Sequence, residues 1–361
     1  MSDKSQEATG TATPDIGSES VLPTRWVQFR EREFSTTLFM IVGVLLFPYL
    51  FNTFLDGYTQ LATLILIWGI FAVGFDILLG YTGLLSFGHA VFWGGAAYVA
   101  GIFSSSVSSS PLLVLLAGTV FAVLLAWVVG FLSLRRSGIY FAILTLTFGQ
   151  ISFYLAASPL AFLTNGENGF TAVSIGPLLG VVDLHSELGG ILGMLPGNTM
   201  YLFVGVVAVL SVTLANRILH SPYGLIFRAI RENERRAEFV GLNVSRYKLM
   251  AFIISAAFAG VAGSLSAIEG NYVPLNSLYW TASGEIVIMT VLGGVGTLFG
   301  PLLGAGIYLY IEFIVSGMDT IGPFWHLILG VVFVAVIVLF PEGIWGGIDA
   351  IRNRLFGGED T

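Results

Sequence analysis

The sequence predicts an all-α protein, a polytopic transmembrane helical bundle with about ten spans (eight to ten). Two features of composition lead to this prediction: hydrophobic residues make up 55% of the 361 residues and charged residues only 10%. An average globular chain has about 25% charged residues, so this chain has too few charges to cover a water-soluble surface. The third observation is that the apolar residues fall in runs of about 20, the length an α-helix needs to cross a bilayer.

The chain divides into three predicted parts. Residues 1–33 are polar and are predicted to form a disordered, basic cytoplasmic tail. Residues 34–345 are predicted to form the transmembrane domain, and 346–361 a second cytoplasmic tail. The predicted spans are, in order, about 34–55, 60–79, 84–103, 112–132, 139–157, 199–216, 249–268, 284–297, 300–315 and 324–341. Those at 84–103, 284–297 and 300–315 are Gly-rich or short.

The basic residues support this arrangement and set its orientation. If the N-terminal tail is cytoplasmic, ten spans return the C-terminus to the same side. All fifteen Lys and Arg residues then lie inside, and the five intervals predicted outside contain none. The positive-inside rule predicts this asymmetry. We therefore expect both termini and the long loop 217–248 in the cytoplasm, and the loop 158–198 on the extracytoplasmic side.

The loop 217–248 is predicted to contain one charged amphipathic helix. Ser221 and Pro222 are typical of a helix start, and Gly241 of a helix end. The periodicity assigns Ile226, Ile230, Asn233, Ala237 and Val240 to one face, and Arg228, Arg231, Arg235 and Glu238 to another. Two interpretations stay open: the helix lies on anionic lipid headgroups, or it docks into a soluble protein partner. Acidic residues interleaved with the arginines favour docking, because they would repel the same headgroups.

Two glycine-rich stretches interrupt the predicted spans without a charged loop between them. Paired interruptions in the two halves of a membrane protein indicate a transport path, whereas small residues also allow close helix packing. Both interpretations stay open, and a true break is favoured at Gly300–Pro301 because proline lacks a backbone donor. The residues predicted as breaks or hinges are Gly80, Gly83, Gly88, Gly293, Gly294, Gly296, Gly300 and Pro301.

Five polar residues within the spans are candidates to line such a path. Asp76 is the one acid clearly inside a span, where a carboxylate suggests a functional site, although a structural or solvated carboxylate fits equally well. Tyr140, Thr147, Gln150 and Tyr154 form an uncharged stripe on the fifth predicted span, at spacings of 7, 3 and 4. Such a stripe either lines a path for a neutral or zwitterionic solute or bonds across to neighbouring helices.

Three other ionisable residues receive structural expectations. His89 follows a glycine-rich stretch, and we expect its ring to be hydrogen-bonded to nearby backbone. Glu285 and Glu312 lie near the outer ends of their predicted spans, where water is within reach. The chain has no Cys and only four scattered His, so no metal site is predicted.

Several segments carry motifs of a known family. They are GYTGLLSFGHAVFWGGAAYVAG (80–101), SGIYFAILTLTFGQ (137–150), LTNGENGF (163–170), FRAIRENERRAEFVGLNVSRYKLMAF (227–252), AFAGVAGSL (257–265), SGEIVIMTVLGGVGTLFGPLLGAG (283–306) and LFPEGIWG (339–346). In this order they resemble the branched-chain amino acid permeases of ABC importers, the LivM type, which are related to urea permeases. The resemblance covers most of residues 60–345.

The resemblance implies that the loop 217–248 couples the chain to an ATPase. In ABC importers this loop carries an EAA-x-x-x-G pattern. Aligned on Gly241, only Ala237 and Gly241 match it, since Arg235 and Arg236 stand where the pattern has Glu and Ala. The residues that this assigns to the coupling helix are Arg228, Arg231, Glu234, Arg235, Arg236, Ala237 and Gly241.

The resemblance also implies partners: a second, homologous permease subunit, two ABC ATPase subunits and an extracytoplasmic solute-binding protein, all at the plasma (cell inner) membrane. The chain itself lacks a phosphate-binding GxxxxGK[ST] motif. We therefore expect a multi-pass transport subunit in membrane lipid that is not an enzyme, binds no cofactor and leaves ATP to its partners. Its net charge of −7 argues against nucleic acid.

The solute implied by the resemblance is a branched-chain or related hydrophobic amino acid. The alternative on the same scaffold is a urea or short-chain amide permease. An ion-coupled secondary transporter that uses Asp76, and a membrane scaffold that transports nothing, are competing classes. Homodimeric and heterodimeric pairing of permease subunits both stay open.

Overall fold

Every regular element that the structure describes is a helix. The computed structural model describes residues 37–38, 40–46, 59–178, 180, 182–184, 198–318 and 324–347. The helices are α1 (Thr59–Thr82), α2 (Ala90–Ser106), α3 (Pro111–Ser133), α4 (Ile139–Ala157), α5 (Thr199–His220), α6 (Pro222–Glu232), α7 (Glu234–Phe239), α8 (Val244–Gly270), α9 (Trp280–Gly293), α10 (Gly300–Ser316) and α11 (Trp325–Leu339). Single turns at Ala161–Thr164, Gly166–Asn168 and Leu275–Leu278 lie in the connections, and residues 40–46 are helical.

Among the described residues, six helices are long and apolar enough to cross a membrane: α1, α3, α4, α5, α8 and α11, the last extended to Gly347. The chain is therefore all-α and polytopic, as predicted. The predicted count of ten spans is not reached by these helices alone. The three Gly-rich or short predicted spans correspond to the shorter helices α2, α9 and α10, of 17, 14 and 17 residues.

Helix boundaries differ from the prediction mainly at the glycine-rich stretches. Helix α4 has its predicted bounds, 139–157. Helix α2, predicted from residue 84, begins only at Ala90, because the chain leaves α1 through Gly83 at a φ of +73°. Helix α9 begins at Trp280 rather than 284 and is preceded by the turn Leu275–Leu278.

Helices α1 and α8 form the centre of the bundle. Helix α1 is buried on nearly all sides, against α5, α8, α9 and α10, and α8 also packs on α2 and α3. The close approach depends on small residues. A Cβ on Gly118 would lie 2.7 Å from the Ala96 carbonyl oxygen, and one on Gly260 would lie 2.6 Å from the Ala122 side chain.

Successive helices run in opposite directions, so the connections alternate between two ends of the bundle. One end carries the connections 83–89, 134–138, 221–243 and 294–299, and every described Lys and Arg lies in these connections or in the adjoining helix ends. We call it the basic end and the other the opposite end. At the opposite end, Phe170 and Val273 exchange two backbone hydrogen bonds of 2.9 Å, which join two connections.

Some predictions fall outside the described residues. These are the tail 1–33, most of the tail 346–361, most of the predicted span 34–55 and part of the loop 158–198. Within that span, residues 40–46 pack beside α5, where the Tyr201 hydroxyl donates to the Val44 carbonyl oxygen at 2.7 Å.

Candidate functional site

Two glycine-rich turns meet at the basic end. The first turn comprises residues 80–89, from the last residues of α1 to the start of α2, and the second turn, residues 294–299, joins α9 to α10. They approach through glycine backbone, because a Cβ on Gly80 would lie 2.5 Å from the Gly296 nitrogen. Gly294 and Gly296 have φ angles of +126° and +83°, which only glycine adopts without strain. The two interruptions that the sequence marks in separate halves thus form one site.

Asp76 fastens the second turn to α1. Its side chain is buried (the residue is 1% exposed), and its carboxylate accepts the Gly296 N–H at 2.8 Å to Oδ1 and 3.1 Å to Oδ2. A buried donor left without a partner costs about 1–3 kcal/mol, so this contact stabilises the turn. Asp76 lines neither of the two cavities described below, and its role in a transport path stays a prediction.

Further contacts close the second turn on itself. The Thr297 hydroxyl donates to the Gly294 carbonyl oxygen at 2.8 Å and accepts the Gly300 N–H at 3.1 Å. Pro301 occupies the first turn of α10, where a missing backbone donor is harmless. The end of the α11 segment covers this turn, and a Cβ on Gly343 would lie 2.6 Å from the Gly294 nitrogen.

The first turn is held by buried side chains. The two ring nitrogens of His89 lie 2.9 Å from the hydroxyls of Ser86 and of Ser255 on α8. The Ser283 hydroxyl, from α9, accepts the Ala90 N–H at 2.8 Å at the start of α2. The predicted hydrogen bonding of His89 is therefore present, but its partners are serine hydroxyls and not backbone. Four phenylalanine rings surround the imidazole: Phe71, Phe75, Phe92 and Phe252.

The segment 222–241, which we call the hook, contacts both turns. Arg231 donates to the Gly80 carbonyl oxygen, and the Arg228 guanidinium lies over the Tyr81 ring, 5.1 Å from its centroid. Arg231 also lies beside the second turn, since a Cβ on Gly296 would be 3.2 Å from its Nη1. Any displacement of α6 therefore acts directly on the end of α1 and on both turns.

The hook is two helices, so the prediction of one continuous helix is wrong. Asn233, predicted on the apolar face, breaks the helix with extended backbone and caps α7, where its Oδ1 accepts the Arg236 N–H at 2.9 Å. Glu234 forms a 2.6 Å ion pair with Lys248 of α8. Ala237 packs with Ile230 and Val244 in a small buried cluster. These contacts join the hook firmly to α8.

The second helix of the hook and the residue after it present exposed arginines and exposed apolar residues to the outside. Arg235 and Arg236 are exposed, and Phe239 and Val240 are 90% and 78% exposed. The prediction that Val240 shares a face with Ile230 and Ala237 is wrong: those two residues are buried and Val240 is exposed, because the break at Asn233 changes the phase of the second helix. Sequence reasoning missed Phe239, although a Phe-Val pair before a glycine in a charged loop is an available signal. Gly241 ends the hook with a φ of +92°.

The polar stripe on α4 faces away from the rest of the chain. Tyr140 and Tyr154 are 71% and 66% exposed. Thr147 is also exposed, and its hydroxyl donates to the Ile143 carbonyl oxygen of its own helix at 2.9 Å. Gln150 is half-buried. The stripe therefore makes no bond to a neighbouring helix through Thr147, and it lies on a surface that a second subunit or lipid can cover.

Two cavities lie at different levels of the bundle. One, of about 390 Å³, lies toward the opposite end, between Trp68 of α1, Trp93 of α2 and the start of α9. The other, of about 490 Å³, is apolar and lies between the first turn and the start of α4. Both sizes are in the range of small-molecule sites, roughly 300–1,000 Å³.

The fold and this site define a class: a multi-pass α-helical membrane protein whose interrupted helices meet beside a basic hook. A family model described as the permease component of the branched-chain amino acid transport system matches residues 57–337. The chain belongs to this family of transport permeases, multi-pass proteins of the inner membrane. No solved structure matches the chain.

Curated relatives agree with the family. The chain is 31% identical to the high-affinity branched-chain amino acid transport system permease protein LivM of Escherichia coli (strain K12), over 80% of this chain and 70% of that protein. It is 26% identical to LivH of the same strain, over 83% and 96% of the two chains. A probable LivM of Methanocaldococcus jannaschii is 21% identical over 79% and 93%. By name, these relatives are transport permease proteins.

Proposed function

We propose that this chain is a permease subunit of an ABC importer, which carries branched-chain or related hydrophobic amino acids across the plasma membrane. Family membership supports the class of solute. The observation that carries the mechanism is the contact of the hook with both glycine-rich turns, through Arg231, Gly80 and Gly296. A partner that binds the hook can thereby move the ends of α1, α9 and α10 together.

The proposed partners are two ATP-hydrolysing subunits, a second homologous permease and an extracytoplasmic solute-binding protein. ATP is used by those subunits, because this sequence has no phosphate-binding loop. The similarity of the chain to both LivM and LivH of one organism supports a pair of related permease subunits. In this assembly the basic end faces the cytoplasm, in accord with the positive-inside rule.

The outer surface of the hook is the proposed contact with the ATPase. Phe239 and Val240 present exposed apolar area between Arg235 and Gly241, and exposed apolar residues of this size on a polar segment are typical of protein contacts. Arg228 and Arg231 contact the end of α1, and Glu234 and Ala237 contact α8, so these four residues transmit the motion. The residues assigned to coupling thus divide into those that contact the ATPase and those that contact the rest of the permease.

The proposed solute path runs along the exposed face of α4, between this subunit and the second permease. Tyr140, Thr147 and Tyr154 are exposed on that face, and no charged residue occurs in α4. An uncharged polar surface suits a neutral or zwitterionic solute, because a fixed charge in a membrane is costly.

Uptake by the complete complex tests the solute and the mechanism. Proteoliposomes with both permeases, the ATPases and the binding protein should take up leucine only when ATP is supplied on the ATPase side. Leucine and urea are compared in the same vesicles. Uptake of urea without leucine would replace the proposal with the amide permease, and uptake without ATPases would remove the ABC mechanism.

Substitutions in the hook test coupling. Gly241→Asp and Ala237→Arg are each expected to lower uptake about tenfold or more while ATP hydrolysis continues, the first by strain at positive φ and the second by forcing a charge into a buried cluster. Phe239→Ser should have the same effect without loss of subunit stability, because the side chain is exposed. Ser245→Ala, an exposed change just past the hook, is the control. Coupling that survives all three changes would contradict the assignment.

A further inference from the structure

The cavity near the opposite end differs from the rest of the bundle in its lining. Its walls come from six places: Trp68 of α1, Trp93 of α2, Ser266 of α8, Asn276 in the connection 271–279, Glu285 of α9 and His326 of α11. Trp68 is the tenth residue of α1, so a rise of 1.5 Å per residue puts it about 14 Å below the start of that helix. The cavity therefore reaches well into the bundle.

The connection 271–279 preforms this cavity. It folds back against α2, and a Cβ on Gly94 would lie 2.6 Å from the Ser277 carbonyl oxygen. Its turn Leu275–Leu278 buries both leucines, and the Ser277 hydroxyl donates to the Pro274 carbonyl oxygen at 2.7 Å. Polar backbone is tolerated at such depth only where protein or a water-filled cavity surrounds it, and this connection lies between α2 on one side and the cavity on the other.

Glu285 supplies a carboxylate without a counter-charge. Within the described residues it makes no hydrogen bond or ion pair, and its electrostatic neighbours are the Glu312 carboxyl and the Tyr308 hydroxyl, neither of which is a cation. Glu285 is half-buried, and the described lining contains no Lys or Arg; the imidazole in that lining, His326, forms no ion pair with Glu285 among the described residues. A carboxylate in a membrane protein interior normally pairs with another group. The Glu285 carboxylate therefore lacks a cationic partner, and the ammonium group of a bound molecule would supply one.

The remaining walls fit the other parts of an amino acid. Trp68 and Trp93 are in contact at 4.7 Å between ring centroids, and Phe71 stacks behind Trp93 at 5.1 Å. This gives a rigid apolar wall for an aliphatic side chain. On the polar side, the Asn276 amide and the Thr281 hydroxyl line the cavity and are exposed, and both can donate to a carboxylate.

From this arrangement we infer that the cavity is a solute site within the permease itself, which takes a zwitterionic α-amino acid with an aliphatic side chain. Glu285 binds the ammonium group, Asn276 and Thr281 bind the carboxylate, and Trp68 and Trp93 contact the side chain. The inference rests on the proposed function and deepens it, because it gives the permease its own selectivity on the side where the binding protein delivers solute.

The test is direct binding of radiolabelled L-leucine to the complete transporter in nanodiscs, without binding protein or nucleotide. Wild type should bind leucine and leucinol, which keeps the ammonium group, but not 4-methylpentanoate, which lacks it. Glu285→Gln should weaken binding of both ligands at least about tenfold, the effect of losing one charged hydrogen bond. Asn276→Ala should weaken binding of leucine severalfold and leave leucinol unchanged.

Glu312→Gln is the matched control, because Glu312 lies near Glu285 but outside the cavity lining. It should change leucine affinity less than twofold, and all variants should assemble as judged by size-exclusion chromatography. Leucine binding that is absent in wild type, or that Glu285→Gln and Glu312→Gln reduce equally, would overturn the site.

Uptake by the same samples separates this inference from the proposed function. Leucine uptake by wild type with normal uptake by Glu285→Gln would remove the site and leave the importer. Uptake of urea alone would remove the proposed function, and the site with it.

Discussion

The first and second turns are both glycine-rich interruptions at the basic end, but different chemistry holds each of them. The first turn is fixed by buried side chains, with His89 between Ser86 and Ser255 and rings on all sides. In the second turn, backbone groups are held by two polar side chains, Asp76 and Thr297, under the end of the α11 segment. Aromatic packing around a buried imidazole makes a rigid element, whereas a turn that depends on polar contacts of its backbone can shift when one of them is strained. The comparison marks the second turn as the movable one.

Removal of the imidazole should have the largest effect. His89→Ala leaves a ring-sized cavity and two unpaired serine hydroxyls, so it should lower the free energy of unfolding by about 3–4 kcal/mol. Unfolding in mixed detergent micelles measures this loss. His326→Ala, where the ring contacts Trp325 at the opposite end, should cost less than about 0.5 kcal/mol. If His89→Ala and His326→Ala lowered the free energy of unfolding equally, the first turn would be no more rigid than an exposed helix end.

Forcing the two turns apart should cause the next largest loss of stability. Gly80→Ala places a methyl group against the Gly296 backbone and the Asp76 carboxylate, and overpacking of this kind costs about 2–3 kcal/mol. Gly306→Ala is the matched control, since its Cβ would be 3.5 Å from an Ile65 methyl group, an ordinary contact. Thermal unfolding of both variants in detergent gives the measurement. A neutral Gly80→Ala would show that the turns are not in contact.

Substitutions of Asp76 distinguish a structural role of this residue from a role in proton coupling. Asp76→Ala should cost about 2 kcal/mol, because the Gly296 N–H loses its acceptor in a buried place. Asp76→Asn keeps an acceptor oxygen and should restore most of the stability and of the ATP-driven leucine uptake. Both are measured on one preparation, by unfolding and by vesicle uptake. Gradient-driven uptake that Asp76→Asn abolishes would support an ion-coupled transporter instead.

The closing contacts of the second turn should have the smallest effect. Thr297→Val removes the hydroxyl that bridges Gly294 and Gly300, at a cost of about 1 kcal/mol, as for other lost caps. Thr147→Val removes an exposed hydroxyl bonded within α4 and serves as the control. Hydrogen exchange of residues 294–299 should rise in Thr297→Val only. If exchange of the first turn rises as well, the two turns move as one unit.

The sequence predicted the fold class, the bounds of α4 and the two glycine-rich interruptions, because apolar run length and glycine are strong local signals. It could not predict that the interruptions touch, since their contact joins residues more than 200 positions apart. Periodicity failed at Asn233, because a single capping residue breaks the hook and reverses the exposure of Val240. Glu285 was expected near water at a span end. The position of α9 places it in a cavity wall instead, because the preceding connection folds inward.

Helix α8 runs without interruption from the hook to the deep cavity. Its first residue, Val244, belongs to the hook cluster, Ser255 bonds to His89, and Ser266 lines the cavity. Its 27 residues span about 40 Å. Inserting one residue between Val244 and Ser255 would rotate the rest of α8 by about 100°. Ser255 could then no longer bond to the His89 imidazole while Val244 kept its place in the hook cluster. A change of one residue in the spacing between these three positions would therefore break at least one of their contacts.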